Sequence, residues 1–326
     1  MGDGTAAIDA VVIGRNEGDR LVACLASLRG CVRRVIYVDS GSTDGSVQAA
    51  RAAGAEVVEL DLSRPFTAAR ARNAGLARIY GSGAAYVQLI DGDCTVDPDW
   101  IATAGAFLEA RPDVAVACGR RRERHPEASV YNRLCDREWN TPPGEALACG
   151  GDALMRLRAL ELVGGFDPAL IAGEEPELCQ RLRRAGWTIW RLDAEMTCHD
   201  ADMHRFGQWW RRSRRAGYAF AEGAQLHGRG PDRFWRRETL RALSWGAALP
   251  LLTLGLALFH QSLGAVAAAC LPGPGCPPRP ARWRWARSMG GGIFFTVLGR
   301  FPEAQGALEY HIRRLIGHRR GILEYK

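Results

Sequence analysis

Apolar and polar positions sort the first two hundred residues into short strands and longer helices. Residues 7–14, 35–39 and 55–60 are compact runs rich in Val and Ile, bounded by Gly, Asn, Asp and Ser, and predict buried strands. Leu21, Leu25 and Leu28 recur at helical spacing, and residues 47–53 and 66–80 continue as helices. A fourth apolar run, residues 85–90, ends in Asp91-Gly92-Asp93. Strands alternating with helices at this spacing predict βαβ units and a largely parallel sheet of the α/β class. Residues 114–119 predict a further strand, and 185–192 a turn followed by another. Between them, the charge run 120–125 (Arg-Arg-Arg-Glu-Arg-His) reads as a solvated loop, with contact to an anionic acceptor as the alternative.

The pattern changes in the last hundred residues. Residues 242–259 carry no charge and are mostly apolar, and residues 262–271 form a second such run. A helix crossing a bilayer needs about 20 such residues, and two crossings about 40, more than this region supplies. Pro250 and Gly255 interrupt the first run. Arginines flank both sides, Arg229 to Arg241 before and Arg279 to Arg287 after, so the positive-inside rule keeps both flanks cytoplasmic. A re-entrant hairpin or interfacial helices satisfy both observations; a helical hairpin buried in a soluble subdomain is the alternative. The expected division is residues 1–225 as an α/β domain and 226–326 as a helical, basic, membrane-associated region.

Charge sharpens that division. The 326-residue chain has a formal net charge of +7. Residues 1–200 hold 23 Lys/Arg against 29 Asp/Glu, and residues 201–326 hold 20 against 7. The basic part calls for an anionic partner such as a lipid surface; a nucleic-acid partner would require basic residues on the acidic first part. Ten scattered cysteines make no Cys-x-x-Cys pair, which speaks against a zinc ribbon and for a reducing compartment. The N-terminal residues lack the basic and apolar segments of a signal peptide.

Asp91-Gly92-Asp93 is the main chemical candidate. It sits where open α/β sheets bind ligands, at the C-terminal end of a strand. Two carboxylates this close repel unless a cation lies between them. Mg²⁺ or Mn²⁺ with oxygen ligands fits, and such ions commonly bridge to phosphates. The bland alternative is a solvated Asp-Gly turn. Asp39 ends the second strand, where a carboxylate can accept hydrogen bonds from a ribose or base; with Asp44 it can equally form a turn and helix cap. No Gly-x-Gly-x-x-Gly follows the first strand and no phosphate-binding Gly-Lys loop is present, which disfavours dinucleotide dehydrogenases and P-loop NTPases. Glu174 and Glu175 precede Pro176 at a predicted helix start and can cap it. Trp209 and Trp210 adjoin a run of arginines that can stack on sugars, cradle a diphosphate or lie at a membrane interface.

Four motifs in register carry a resemblance: residues 13–17, Val38-Asp39-Ser40-Gly41-Ser42-Thr43-Asp44, Ala71-Arg72-Asn73-Ala74-Gly75-Leu76 and Asp91-Gly92-Asp93. Together they resemble family 2 glycosyltransferases of the GT-A fold, in a bacterial membrane-associated form. Residues 148–156, Gly164-Gly165-Phe166-Asp167 and Gly173 to Leu182 extend the likeness, and the tail extends it nearly to the C-terminus. The resemblance implies a mixed, mostly parallel sheet flanked by helices. It implies an inverting transferase that moves a sugar from a nucleotide-diphospho-sugar donor to a lipid-linked or glycan acceptor at the cytoplasmic face of the cell membrane. Donor contacts would come from Asn16, Glu17, Asp39, Arg72, Asn73 and Asp91. The metal, Mg²⁺ or Mn²⁺, would lie on Asp93 with Asp91 nearby and His199 as a further ligand. Glu175 stands where the family has its catalytic Asp, with Glu174 beside it. Ser40 replaces the family's second Asp, and residues 209–215 do not match the Gln-x-x-Arg-Trp motif of processive members. A sugar-nucleotide nucleotidyltransferase is disfavoured by the missing Gly-rich basic loop. A degenerate transferase acting as a membrane-surface scaffold is the non-enzymatic alternative, against which the carboxylates at 39, 91, 93 and 175 argue.

Overall fold

The computed structural model describes residues 7–259 and 290–317. They form two compact units that divide between His204 and Arg205.

The first unit contains, in chain order, β1 (Ile8–Gly14), α1 (Asp19–Leu28), β2 (Val35–Asp39), α2 (Ser46–Ala52), β3 (Glu56–Glu59), α3 (Ala68–Ile79), β4 (Tyr86–Asp91) and β5 (Cys94–Val96). It continues with α4 (Trp100–Ala110), β6 (Val114–Glu123), α5 (Val130–Glu138), β7 (Gly144–Ala146), β8 (Ala153–Arg156), α6 (Leu157–Val163), α7 (Glu174–Arg184) and β9 (Thr188–His199). The described strands make one mixed sheet in the order β3-β2-β1-β4-β8-β6-β9-β5, with β7 added on β9. The pairings β3-β2, β2-β1 and β1-β4 are all parallel. That half follows from the βαβ pattern, and the helices cover its apolar faces. β1 lies between β2 and β4, so the chain leaves it to opposite sides and opens a crevice at the strands' C-terminal ends.

The core is built from the runs that predicted the strands: Val11 and Val12, Ile36 to Val38, Val87, Leu89 and Ile90 are all fully buried. Gln88 is the polar exception in β4. It is buried because its side-chain amide donates to the Leu89 carbonyl at 2.8 Å and its oxygen accepts from Trp100 Nε1 at 2.9 Å. Both polar ends are thus satisfied, as a buried amide requires. α3 lies unusually close to β1: a Cβ on Gly75 would stand 2.4 Å from Val11 Cγ1. Glycine at that point allows the approach that sets the depth of Arg72, one turn earlier on the same helix.

The second unit contains α8 (Phe206–His227), α9 (Arg236–Leu243), α10 (Leu249–Phe259), α11 (Gly290–Leu298) and α12 (Arg300–Leu315). The expected division after residue 225 would cut α8. That 22-residue helix packs along α12, with Gly217 and Gly306 letting the two backbones touch, and Tyr218 meets Tyr310 edge to face. α9 and α10 run on as one 24-residue helix, Arg236–Phe259, long and apolar enough by length and composition to cross a membrane. Ser244–Ala248 is a π-helical turn just before Pro250. A proline inside a helix has no N–H for the residue four back and crowds its carbonyl, and a widened turn absorbs this. Leu251, Leu252, Leu254, Leu258 and Phe259 are exposed. The second apolar run, 262–271, lies outside the described residues.

Substituting Gly75 by Ala should overpack the α3–β1 contact and destabilise the fold by about 1–3 kcal/mol in denaturant unfolding. Adding Val11→Ala should cost less than its effect alone, because the clash is shared. Strictly additive losses would show that the two residues do not press on one another.

Candidate active site

The site forms where strand ends converge. Gly14 pairs with Asp39 and Ile13 with Asp91, so the two aspartates flank the end of β1, about 10 Å apart across two strand spacings. Gly92 turns the chain back, donating its N–H to the Ile13 carbonyl at 2.8 Å. β5 then pairs antiparallel with the end of β9, setting Cys94 opposite His199. On the other side of β9, β6 runs parallel and sets Glu123 opposite the same histidine.

This register gathers a buried polar cluster. His199 Nε2 faces Asp93 Oδ2 at 3.4 Å, and His199 Nδ1 lies 3.3 Å from Glu123 Oε2. Cys94 Sγ is 3.5 Å from Asp93 Oδ1. Burial lowers the proton affinity of the imidazole, but the Asp93 and Glu123 carboxylates outweigh burial and Arg121, and the net shift is upward. Ligating atoms of Asp93, Cys94 and His199 lie within 4.8 Å of one another. A carboxylate oxygen and an imidazole nitrogen, the ring oriented by a second carboxylate, are a fitting donor set for a divalent ion.

Asp91 looks the other way. Its Oδ1 takes Arg72 Nη2 at 2.9 Å, and its Oδ2 lies 3.5 Å from Arg121 Nη2. The repulsion expected within Asp-Gly-Asp is therefore met by two guanidiniums, and Asp91 is not among the gathered ligands. Arg72 is itself buried and reaches with Nη1 to Glu174 Oε1 at 2.6 Å. Burial disfavours its charge; Asp91, Glu174 and Glu175 overcome that and raise its pKa. Arg121 lies over the Trp139 ring at 4.8 Å and has Nε 3.5 Å from Asp152 Oδ2. Asp152, fully buried just before β8, also accepts from Thr197 Oγ1 at 2.7 Å and from the Asp91 N–H at 3.2 Å.

α7 begins at Glu174, with Gly173 in the left-handed region at φ 76° and Pro176 in the first turn. Glu177 binds Arg181 one turn on, and Arg181 donates to the Val163 and Gly165 carbonyls, which anchors the helix. Glu174 and Glu175 thus project differently. Glu174 is committed to Arg72. Glu175 is half-buried and takes the Gly150 N–H. Burial and then the Glu174 carboxylate push its pKa up to about 8, with Arg72 opposing.

Residues 9–161 match the family described as glycosyl transferase family 2. They are a family 2 glycosyltransferase domain. Succinoglycan biosynthesis protein ExoA of Rhizobium meliloti is 29% identical over 194 residues, 55% of this chain and 58% of the relative. Pre-mycofactocin glycosyltransferase of Mycobacterium tuberculosis is 29% identical over 213 residues, 59% of this chain and 42% of the relative. The matched stretches thus span about half the length of these relatives. Among solved structures, the mannosyltransferase PcManGT from Pyrobaculum calidifontis, in complex with GDP-Man and Mn²⁺, aligns at TM-score 0.59 and 18% identity, covering 95% of this chain and 87% of that one. TarS from S. aureus aligns at TM-score 0.51 and 15% identity, covering 89% of this chain and 54% of that one. At such identities the likeness concerns the fold, and the fold is GT-A.

Within the first unit, the predicted residues divide into two sets. Asp91, Asp93, Arg72, Glu174, Glu175 and His199 belong to the clusters just described. Asp39, Asn16 and Asn73 hold turns. Asp39 Oδ2 accepts the Gly41 and Ser42 N–H groups at 2.8 and 2.9 Å, and Oδ1 accepts Tyr37 OH at 3.0 Å. Asn16 accepts the Thr43 N–H at 2.7 Å and donates its own N–H to Ser42 Oγ. Glu17 pairs with Arg20 at 2.8 Å. Asn73 clasps the Phe166 backbone, donating to its carbonyl at 2.7 Å and accepting its N–H at 2.9 Å. That clasp ties α3 to the Gly164-Gly165 turn, whose left-handed backbone only glycine adopts at low cost.

The charge run at 120–125 corrects the sequence expectation. It is not a solvated loop: β6 continues through Arg120, Arg121, Arg122 and Glu123. Arg121 and Glu123, alternate residues on one face, reach Asp91 and His199, while Arg122 points away to Glu195 at 2.6 Å. Arg121, Glu123, Asp152, Cys94 and Trp139 were not anticipated. Reading the 114–119 strand on at period two would have found the first two.

The raised Glu175 pKa has a stability consequence. Between the usual carboxyl value of 4.5 and about 8, the folded protein keeps a proton that the unfolded chain releases, so this residue's contribution falls as pH rises through that window and is level above it. Glu175→Gln removes the loss. Its stability relative to wild type should rise by up to about 1.4 kcal/mol per pH unit between pH 5 and 8 in denaturant unfolding. A difference independent of pH would show that Glu175 has an ordinary pKa.

Proposed function

We propose that this chain is an inverting, metal-dependent glycosyltransferase, with residues 1–204 as its catalytic unit. It moves a sugar from a nucleotide-diphospho-sugar to a hydroxyl of a lipid-linked or glycan acceptor, in the synthesis of a cell-surface polysaccharide or glycolipid. The observation that carries this reading is a buried Asp93–His199 donor set together with Glu175 at the start of α7, while Arg72 ties their neighbours Asp91 and Glu174 to one another. The family resemblance, the ExoA relative and the nucleotide-sugar complex of PcManGT support it.

Asp93 and His199 would hold Mg²⁺ or Mn²⁺, which when bound neutralises charge on the leaving diphosphate. Glu123 keeps His199 Nε2 turned toward Asp93. Arg72 and Arg121 balance Asp91, Glu174 and Asp152 and hold these carboxylates fixed beside the cation site. Glu175 takes the acceptor hydroxyl proton as that oxygen bonds to the anomeric carbon. The bond from that carbon to the diphosphate oxygen breaks, and its electron pair leaves with the nucleotide diphosphate. A base with pKa about 8 suits this task near neutral pH. Glu174 stays paired with Arg72 and positions the helix start.

Accordingly, Glu175→Gln should lower turnover about 10²–10⁴-fold in a radiolabelled transfer assay while nucleotide-sugar binding by calorimetry is kept. Glu174→Gln, which unpairs Arg72, should act mainly on stability and binding. Near-normal turnover in Glu175→Gln would overturn the assignment of the base.

The exposed apolar face of Arg236–Phe259, in a region of strong positive charge, supports attachment to the cytoplasmic face of the membrane. The full chain should sediment with membranes and resist high-salt extraction, because salt screens arginine–lipid attraction but not apolar burial. Release by salt alone would reduce the attachment to electrostatics.

A further inference from the structure

Cys94 is a residue for which the proposed reaction has no use. It is fully buried, immediately follows Asp93, and is paired across the strand with His199. Residues directly opposite on antiparallel strands project to the same side. That places its sulfur with the Asp93 oxygens and the His199 ring, all three ligating atoms lying within 4.8 Å of one another. Sγ stands 3.5 Å from Asp93 Oδ1 and 3.4 Å from Arg121 Nη2. Burial and the Asp152, Asp93 and Asp91 carboxylates hold the proton on this sulfur, with Arg121 opposing, so a bound cation has to displace it.

We infer that Cys94 is a third protein ligand of the cation site, and that its sulfur gives the site an oxygen–nitrogen–sulfur donor set selecting softer divalent ions over Mg²⁺. The inference rests on the proposed function only in taking Asp93 and His199 as cation ligands. Mg²⁺ prefers an all-oxygen shell and sheds water reluctantly, whereas thiolate and imidazole suit Zn²⁺ and Co²⁺. On binding, the sulfur–metal bond forms as the thiol proton passes to solvent, and no oxidant or reductant takes part. Glu123 orients the imidazole, and Arg121 remains charged beside the sulfur.

Titrating the full chain with Co²⁺ in thiol-free buffer tests this. Visible cobalt bands report any bound ion, and a sulfur-to-cobalt charge-transfer band in the near ultraviolet reports the thiolate. Wild type should show both, saturating at one ion per chain. Cys94→Ser should lose the near-ultraviolet band and bind Co²⁺ at least about 10-fold more weakly, the loss associated even with outer-shell partners. Mg²⁺ binding should change little. Cys31→Ser, between α1 and the start of β2 at the opposite edge of the parallel strands, should keep the band. Cobalt bound to wild type without the sulfur band, or a band that survives Cys94→Ser, would overturn the role of Cys94 and leave the metal reading standing. No cobalt binding at all would overturn both. Should the Cys94 variants fail to fold, X-ray absorption on Zn²⁺-loaded wild type decides: one sulfur neighbour at about 2.3 Å is expected, and none refutes the inference.

Discussion

The constraint on which the site depends is a single buried cation. Arg72 binds Asp91 at the end of β4 and Glu174 at the start of α7, two elements more than eighty residues apart in sequence. A buried guanidinium is tolerated only when paired on both branches of its planar fork, and here both are taken. Lysine, a point charge on a flexible stem, could not reproduce that bridge. The close approach of α3 to β1 at Gly75 and the clasp of Asn73 on Phe166 hold the helix that carries Arg72. The architecture around Glu175 is thus electrostatic at its centre and steric at its edges.

The same cation sorts two adjacent carboxylates. Glu174 and Glu175 differ by one position on a helix, which turns their side chains about 100° apart. One meets Arg72 and the other meets the Gly150 N–H. Two neighbouring groups of one chemistry acquire opposite tasks through geometry, one as a fixed counter-ion and the other as a titrating group near neutrality. Asp91 and Asp93 are sorted in the same manner by their neighbours, arginines on one side and a histidine and a thiol on the other.

Strand periodicity made the N-terminal half of the sheet legible. β2 was expected at its observed bounds, and β1, β3 and β4 within a residue or two, because buried parallel strands are short unbroken apolar runs. Asp91, Asp93 and Glu175 were legible because each sits at the end of such a run or at a helix start. Arg121, Glu123 and Asp152 were not, because a buried charge in a strand looks in sequence like a solvated one. Their burial is settled by partners from distant strands, a tertiary fact that local pattern does not carry. Asn16 and Asn73, expected at the donor side from the motifs, also hold the turns around the site, a task that local pattern does not announce. The two compact units divide at His204, while the boundary expected at 225 falls inside α8, a helix apolar on one face only, as helices of either unit are.

The shared position of Arg72 also makes protons and cations thermodynamically linked. A positive charge settling beside Asp93 lowers the affinity of the surrounding carboxylates for protons, Glu175 among them. By reciprocity, the deprotonated Glu175 favours that cation by the same free energy. Without a cation Glu175, its pKa pushed up to about 8, holds its proton at neutral pH. In the proposed reaction this linkage is an interlock: the group assigned to activate the acceptor becomes competent as the charge needed for departure of the diphosphate arrives.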